Sequence, residues 1–169
     1  FPFSRGKYLN IPIIAITGSN GKTTTKELIN SVLGQRYKTH ATQGNYNNHI
    51  GVPLTLLQMD TSVDIGIVEM GANHTNEIAF LCGIAQINFG IITNIGKAHL
   101  EGFGNVQNVI KAKKELYDHI NVNNGTLFVN ANDKLLMSIS ENTERVLYNI
   151  KKQEQSNTMF AEAIFNESL

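Results

Sequence analysis

The feature that most constrains this chain is the run Ile13-Ile14-Ala15-Ile16-Thr17-Gly18-Ser19-Asn20-Gly21-Lys22-Thr23-Thr24-Thr25. The apolar stretch Ile11 to Ile16, interrupted only by Pro12, predicts a strand buried on both faces. A glycine-bracketed loop ends the strand, and a helix follows at once. Thr25, Leu28, Ile29, Val32 and Leu33 recur at helical spacing and predict its buried side, with Gly34 placed to stop it. Strand, phosphate loop and helix in this order point to an α/β domain.

The chemistry of such a loop comes from its backbone. Gly18 and Gly21 reach conformations closed to other residues, so that the amides of Gly18, Ser19, Asn20, Gly21, Lys22, Thr23 and Thr24 can converge on phosphate oxygens at the positive end of the helix. Lys22 is placed to reach the β- and γ-phosphates, and the Thr23 hydroxyl to hold a bridging Mg²⁺. The loop departs from the common G-x-x-x-x-G-K-[ST] pattern, because Ile16 stands where its first glycine belongs.

At 169 residues and 41% hydrophobic content, the chain fits one α/β domain with an ordinary core. A formal net charge of zero gives no basic face for nucleic acid or an anionic membrane. The lone Cys82 excludes an internal disulfide and any multi-cysteine metal cage, and its place beside Leu81 on a predicted helix reads as packing. No apolar run reaches the length of a membrane span, and no signal-peptide pattern opens the chain. A cytoplasmic protein is expected. The opening Phe1 to Lys7 resembles a linker, and the closing Met159 to Leu169 breaks off without a cap, so a piece of a longer polypeptide is expected.

Further along, Tyr37 to Thr42 alternates like a short strand and leads into the polar loop Gln43-Gly44-Asn45-Tyr46-Asn47-Asn48. Such amides suit a polyhydroxylated or peptidic ligand, and they suit a plain turn equally well. Pro53 can open the next helix, with Leu54, Leu56 and Leu57 facing inward. A buried strand, Val63 to Val68, ends at Glu69, where a carboxylate beyond a parallel strand can hold magnesium. Glu77 to Cys82 continues as a helix with Ile78, Leu81 and Cys82 inward.

A third strand, Ile87 to Ile92, runs into the long connection from Thr93 to Gly104, whose three glycines mark a functional loop. It contains His99, which is either structural or a ligand, and Glu101, which has the weaker claim. In the helix after it, Val106, Val109, Ile110, Leu116, Tyr117 and Ile120 fall in one arc, with Lys113 in its middle and Lys111, Lys114 and Asp118 outside. A lysine so placed must snorkel out, lose its charge or meet an inward partner. Gly125 to Asn130 is a fourth strand, and Asn132 or Asp133 caps a short helix after it. Arg145 to Tyr148 and Met159 to Phe165 are weaker strands separated by the polar turn Lys151 to Thr158. The alternation predicts a doubly wound, mostly parallel sheet.

Five ordered motifs now stand together: Thr17 to Thr24, Gly44 to Thr55, Val68 to Asn73, Asn94 to Gly104, and Ala112 to Tyr117. With them the chain resembles the central ATPase domain of the Mur ligases, in particular the type that adds D-alanyl-D-alanine to UDP-MurNAc-tripeptide. The resemblance spans about Ile11 to Leu136 and implies ligation through an acyl phosphate made from ATP. It implies that Lys22 stabilises the transferring phosphoryl group, that Thr23 and Glu69 bind one Mg²⁺, and that a carbamylated Lys113 shares a second with His99 and Glu69. It further implies that Asn45, Asn47 and Asn48 face the nucleotide-sugar peptide and that Asn130 and Asp133 lie near the nucleotide. Residues 1–10 become a linker from a missing N-terminal domain and 11–169 a central domain incomplete at its end, a fragment not expected to ligate alone. Asn76 departs from the glycine usual in this type. Another ligase of the superfamily, such as a folylpolyglutamate or cyanophycin-type synthetase, and a P-loop nucleotide-binding module without ligation are the competing readings.

Overall fold

The computed structural model describes residues 10–96, 100–152 and 159–164. It contains a seven-stranded sheet flanked by helices. The elements in chain order are β1 (Ile13–Thr17), α1 (Lys22–Leu33), β2 (Thr39–Ala41), α2 (Gly51–Gln58), β3 (Ile65–Glu69), α3 (Glu77–Ala85) and β4 (Phe89–Ile92). There follow α4 (Leu100–Phe103), α5 (Val106–Val122), β5 (Thr126–Asn130), α6 (Lys134–Ile139), β6 (Arg145–Lys152) and β7 (Met159–Ile164). The strand order is β2-β3-β1-β4-β5-β6-β7. All neighbours are parallel except β7, which runs antiparallel to β6.

Side chains that alternate along each inner strand feed two different cores, which is why these strands read as unbroken apolar runs. Ile13, Ala15, Val68, Leu127 and Val129 join the larger core, to which α2 contributes Val52 and Leu56, α3 contributes Ile78, Leu81 and Cys82, and α5 contributes Val109, Leu116 and Ile120. Ile16, Ile67 and Ile91 face the other side, where Ile29 and Leu33 of α1 cover them. The sheet is therefore wound on both faces, as expected, but the covers differ in depth.

That asymmetry corrects the inward face assigned to α1. Leu28 and Val32 are 62% and 70% exposed, whereas Lys26 is buried. A short helix lying over a small core needs only a narrow apolar edge, and Ile29, Leu33 and the lysine stem supply it. In α2 the same error recurs: Leu56 packs inward, but Leu54 and Leu57 are exposed and Val52 and Thr55 are buried instead. Helix α2 begins at Gly51, which puts Pro53 in its first turn as expected, and Asn48 Oδ1 just before it accepts from the amides of Ile50 (3.0 Å) and Gly51 (2.9 Å).

Other boundaries move slightly. Asp133, and not Asn132, caps α6, with its Oδ1 accepting from the amides of Leu135 and Leu136. Strand β6 runs on through Lys152, past the expected Tyr148, because pairing with both β5 and β7 sustains it. Lys151 and Lys152 thus belong to a strand, while the rest of the polar turn expected there, 153–158, lies outside the described residues. So do residues 1–9, assigned to a linker, and His99.

Candidate functional site

The strand ends of β1, β3 and β4 converge on one edge of the sheet, and the loop after β1 is held there by the loop after β4. Ser19 N donates to Asn94 O (3.0 Å) and Asn20 N to Asn94 Oδ1 (3.1 Å), while Asn94 Nδ2 and Thr93 Oγ1 donate back to Asn20 O (3.0 and 2.6 Å). Ser19 Oγ accepts from Gly96 N at 2.9 Å. Gly18, at φ +144°, is where the two loops touch: a Cβ there would fall 2.0 Å from Thr93 Oγ1.

Within the expected cradle, the amides of Ser19 and Asn20 bond to the loop after β4, while those of the first turn of α1 have no intrahelical acceptor. Lys22, Thr23 and Thr24 precede the first intrahelical bond, from Thr25 N to Gly21 O, and no side chain caps the helix. No acidic residue occupies that first turn. Lys22 Nζ meanwhile donates to Gly18 O (2.9 Å) and lies 3.5 Å from Ser19 O, folded over the loop that it would leave to meet a phosphate.

Glu69 is the next member. It ends β3 beside β1, paired with Ile16, and is 2% exposed. Thr23 Oγ1 donates to its Oε2 (2.9 Å) and Asn47 Nδ2 to its Oε1 (2.9 Å), so the carboxylate links the helix of the phosphate loop to the amide-rich loop. Its own amide donates to Thr42 Oγ1 at 3.0 Å. Asn47 is fixed again by its carbonyl, which accepts from Gly71 N at 2.7 Å.

Lys113 faces the same place from α5. It is 2% exposed, lies with Lys22 on a cavity of about 570 Å³, and has no hydrogen bond or ion pair among the described residues. Asn47, Asn48, Gly71 and Glu77 also line this cavity. Burial first, and then the nearby Lys22 charge, lower the Lys113 pKa to about 8, while Glu115 and Glu77 oppose the shift. Of the three fates open to a lysine in an apolar arc, the fold presents an amine that faces inward onto the cavity with its pKa lowered.

Not every expected residue joins them. Asn45 is exposed and outside the lining of the cavity. Asn48 reaches the cavity but uses its side-chain oxygen to cap α2. Asn130 ends β5, beyond β4 from the phosphate loop, and its Oδ1 accepts from Asn132 N to close a turn. Thr24 is exposed on the first turn of α1. The structure adds residues that the sequence did not single out: Thr42 and Thr93, whose hydroxyls brace Glu69 and the loop, and buried Lys26, whose Nζ donates to Thr42 O at 2.5 Å. Thr25-Lys26 directly after the phosphate loop was the only signal for the last of these.

With this geometry in hand, the chain was compared with known proteins. Residues 16–168 match the family model of the Mur ligase middle domain. The chain belongs to the Mur ligase family. It is 41% identical over 130 residues to the UDP-N-acetylmuramoyl-tripeptide–D-alanyl-D-alanine ligase of Bacillus subtilis, which covers 77% of this chain and 28% of that protein. The Synechocystis ligase of the same name is 46% identical over 131 residues, 78% of this chain and 29% of the relative. The chain thus spans under a third of the length of these Mur ligases. Among solved structures, MurF from Acinetobacter baumannii superposes with a TM-score of 0.81 at 34% identity, over 88% of this chain and 35% of that one. MurF from Thermotoga maritima, solved in complex with ADP, gives 0.79 at 28% identity, over 95% and 42%.

The fold accommodates asparagine at position 76, where the resemblance led glycine to be expected. Asn76 has φ +71°, a left-handed conformation that glycine takes freely and asparagine better than most residues. Glycine and asparagine are therefore near-equivalents at the head of α3.

Proposed function

We propose that this chain is the ATP-binding middle portion of a ligase that joins D-alanyl-D-alanine to UDP-MurNAc-tripeptide in peptidoglycan synthesis. The observation that carries the reading is the Thr23–Glu69–Asn47 chain of hydrogen bonds, which ties the phosphate loop to the amide-rich loop beside a cavity lined by Asn47, Lys22 and Lys113. The likeness to the D-alanyl-D-alanine ligases supports the choice of substrates.

In this reading the γ-phosphate of ATP is attacked by the terminal carboxylate oxygen of the tripeptide, the bond from the γ-phosphorus to the β,γ-bridging oxygen breaks, and ADP leaves. The amine of D-alanyl-D-alanine then attacks the acyl carbon, an amide bond forms, and inorganic phosphate departs with the acyl oxygen. The first turn of α1 binds the phosphates, and Lys22, released from Gly18 O, offsets the charge on the transferring group. Asn47 and Asn48 contribute amide groups on the side of the peptide. Asn45, in the same loop, and Asn130, near the nucleotide, belong to the outer parts of the two substrate sites.

The donors also suit Mg²⁺. The Thr23 hydroxyl and the Glu69 carboxylate present hard oxygen ligands 2.9 Å apart at the phosphate loop. Thr23 and Glu69 would hold one ion; carbamylated Lys113, His99 and Glu69 would hold a second. Bound there, the ions would neutralise phosphate charge. Carbamylation fits a buried amine of pKa about 8, of which on the order of a tenth is neutral and nucleophilic at pH 7. ¹³C-bicarbonate should label the protein with a carbamate resonance that Lys113→Arg abolishes; a resonance that persists in that variant removes the assignment.

The chain spans under a third of the length of its D-alanyl-D-alanine ligase relatives, and in this reading the rest of such an enzyme grips the uridine nucleotide and D-alanyl-D-alanine. Its substrates place it in the cytoplasm, and no helix among the described residues is long and apolar enough to cross a membrane. The deciding experiment is ADP release by the full-length enzyme with Mg²⁺-ATP, UDP-MurNAc-tripeptide and D-alanyl-D-alanine, each omitted in turn. Release that needs both acceptor substrates is expected. Release that ignores D-alanyl-D-alanine but answers to another amine would move the chain to a sibling ligase.

A further inference from the structure

Helix α3 begins beside the cavity without a cap of its own. Its first residue follows Asn76, which is left-handed and contributes no side-chain bond to the helix. The leading amides would be orphans. Two amides at this end are met from another element: Glu115, on α5, accepts from Asn76 N through Oε1 (2.6 Å) and from Ala79 N through Oε2 (3.0 Å). A carboxylate here also complements the positive end of the helix. The turn just before is held by Glu77, whose Oε2 accepts from Asn73 N (2.7 Å) and His74 N (3.1 Å).

The segment so fastened forms one wall of the cavity, with Gly71, Ala72, Asn73, Thr75, Asn76 and Glu77 among its lining residues. Glu115 is two residues from Lys113 on the same helix, and α3 and α5 share one apolar core through Leu81, Cys82, Ala112 and Leu116. The bidentate contact therefore locks the wall to the helix that carries Lys113. Lys22 brings the phosphate loop to the same cavity, and its helix has no acidic residue in the first turn.

We propose that Glu115 is a positioning residue that holds wall 71–77 against α5 and so shapes the part of the cavity that takes the carboxylate-bearing peptide substrate, leaving the nucleotide part untouched. The proposal rests on the ligase reading for the identity of that substrate. It predicts a split. In the full-length enzyme, Glu115→Ala should raise KM for the peptide substrate about tenfold, the loss expected when two charge-assisted bonds to backbone amides go, with KM for ATP within about twofold of wild type, a change near the limit of what one weak contact is worth. Glu115→Gln keeps one oxygen acceptor and should fall between.

A second readout does not depend on catalysis. In Glu115→Ala, hydrogen exchange at the amides of Asn76 and Ala79 should quicken about tenfold, as expected when such a bond is lost, while the amides of β5 stay as protected as in wild type. Unchanged exchange at Asn76 and Ala79 in both variants overturns the clamp, and a KM for ATP that rises as much as that for peptide overturns its one-sided role. If the wild-type enzyme shows no ligation, the substrate assignment fails, and exchange still decides whether Glu115 holds the wall.

Discussion

At the scale of single residues, Gly18 and Lys113 show how tightly the site is specified. A methyl group at Gly18 would collide with Thr93 Oγ1 at 2.0 Å and press on Thr93 N at 3.1 Å, and φ +144° is already hostile to a side chain. Gly18→Ala should cost about 2–3 kcal/mol in urea denaturation, from overpacking and backbone strain together. Lys113 makes a signed prediction about pH. Its pKa is lowered from 10.5 to about 8 by burial and by Lys22, so between those values the unfolded chain holds more protons than the folded one. Stability should then rise with pH across that window, by on the order of 3 kcal/mol in carbon-dioxide-free buffer. Lys113→Met should flatten the rise and be more stable than wild type at pH 7. A parallel pH profile for the two proteins would show that the amine is paired in solution.

At the scale of elements, what was legible in the sequence depended on how much of a helix the core claims. Helix α5 is buried along a broad arc, so periodicity found its face and found Lys113 within it. The strands were legible because both of their faces are apolar. Helix α1 was misread because its core is only three isoleucines deep, and the side chain that completes its contact is Lys26, which hydrophobicity counts as polar. The bracing contacts escaped for a different reason. Thr93 to Asn20 and Glu115 to Asn76 join residues 73 and 39 positions apart, and nothing local marks either partner. Lys26 tests this account. It is 1% exposed, donates to Thr42 O and pairs with Glu27 Oε1 at 2.8 Å, and Thr42 in turn holds the Glu69 amide. Lys26→Ala should destabilise by about 2–4 kcal/mol, since it removes a buried stem and strands a buried carbonyl. Lys26→Met should recover about half of that by restoring the stem alone. Equal losses in the two variants would mean that the stem contributes little.

At the scale of the whole molecule, the question is whether the site is formed before any ligand arrives. The loop after β1 is tied to the loop after β4 by bonds from both backbone and side chains, and Glu69 is engaged through both carboxylate oxygens and its amide. Little chain therefore has to be ordered on binding. In the proposed reading the group that would move is Lys22, which would exchange its bond to the neutral Gly18 O for one to an anionic phosphate oxygen. This predicts that the 169-residue chain by itself binds Mg²⁺-ATP. At a hundredfold excess over Kd, the nucleotide should add about 2.7 kcal/mol to unfolding stability. Lys22→Ala should remove most of that gain and lower stability in the absence of nucleotide by only about 1 kcal/mol, because it loses the bond to Gly18 O while the loop keeps its bonds to Thr93 and Asn94. Stabilisation that survives in Lys22→Ala would place the binding energy in the first-turn amides of α1. No stabilisation of the wild-type chain at any nucleotide concentration would place it in contacts that these residues do not supply, and the preformed loop would then serve chiefly to set the geometry of phosphoryl transfer.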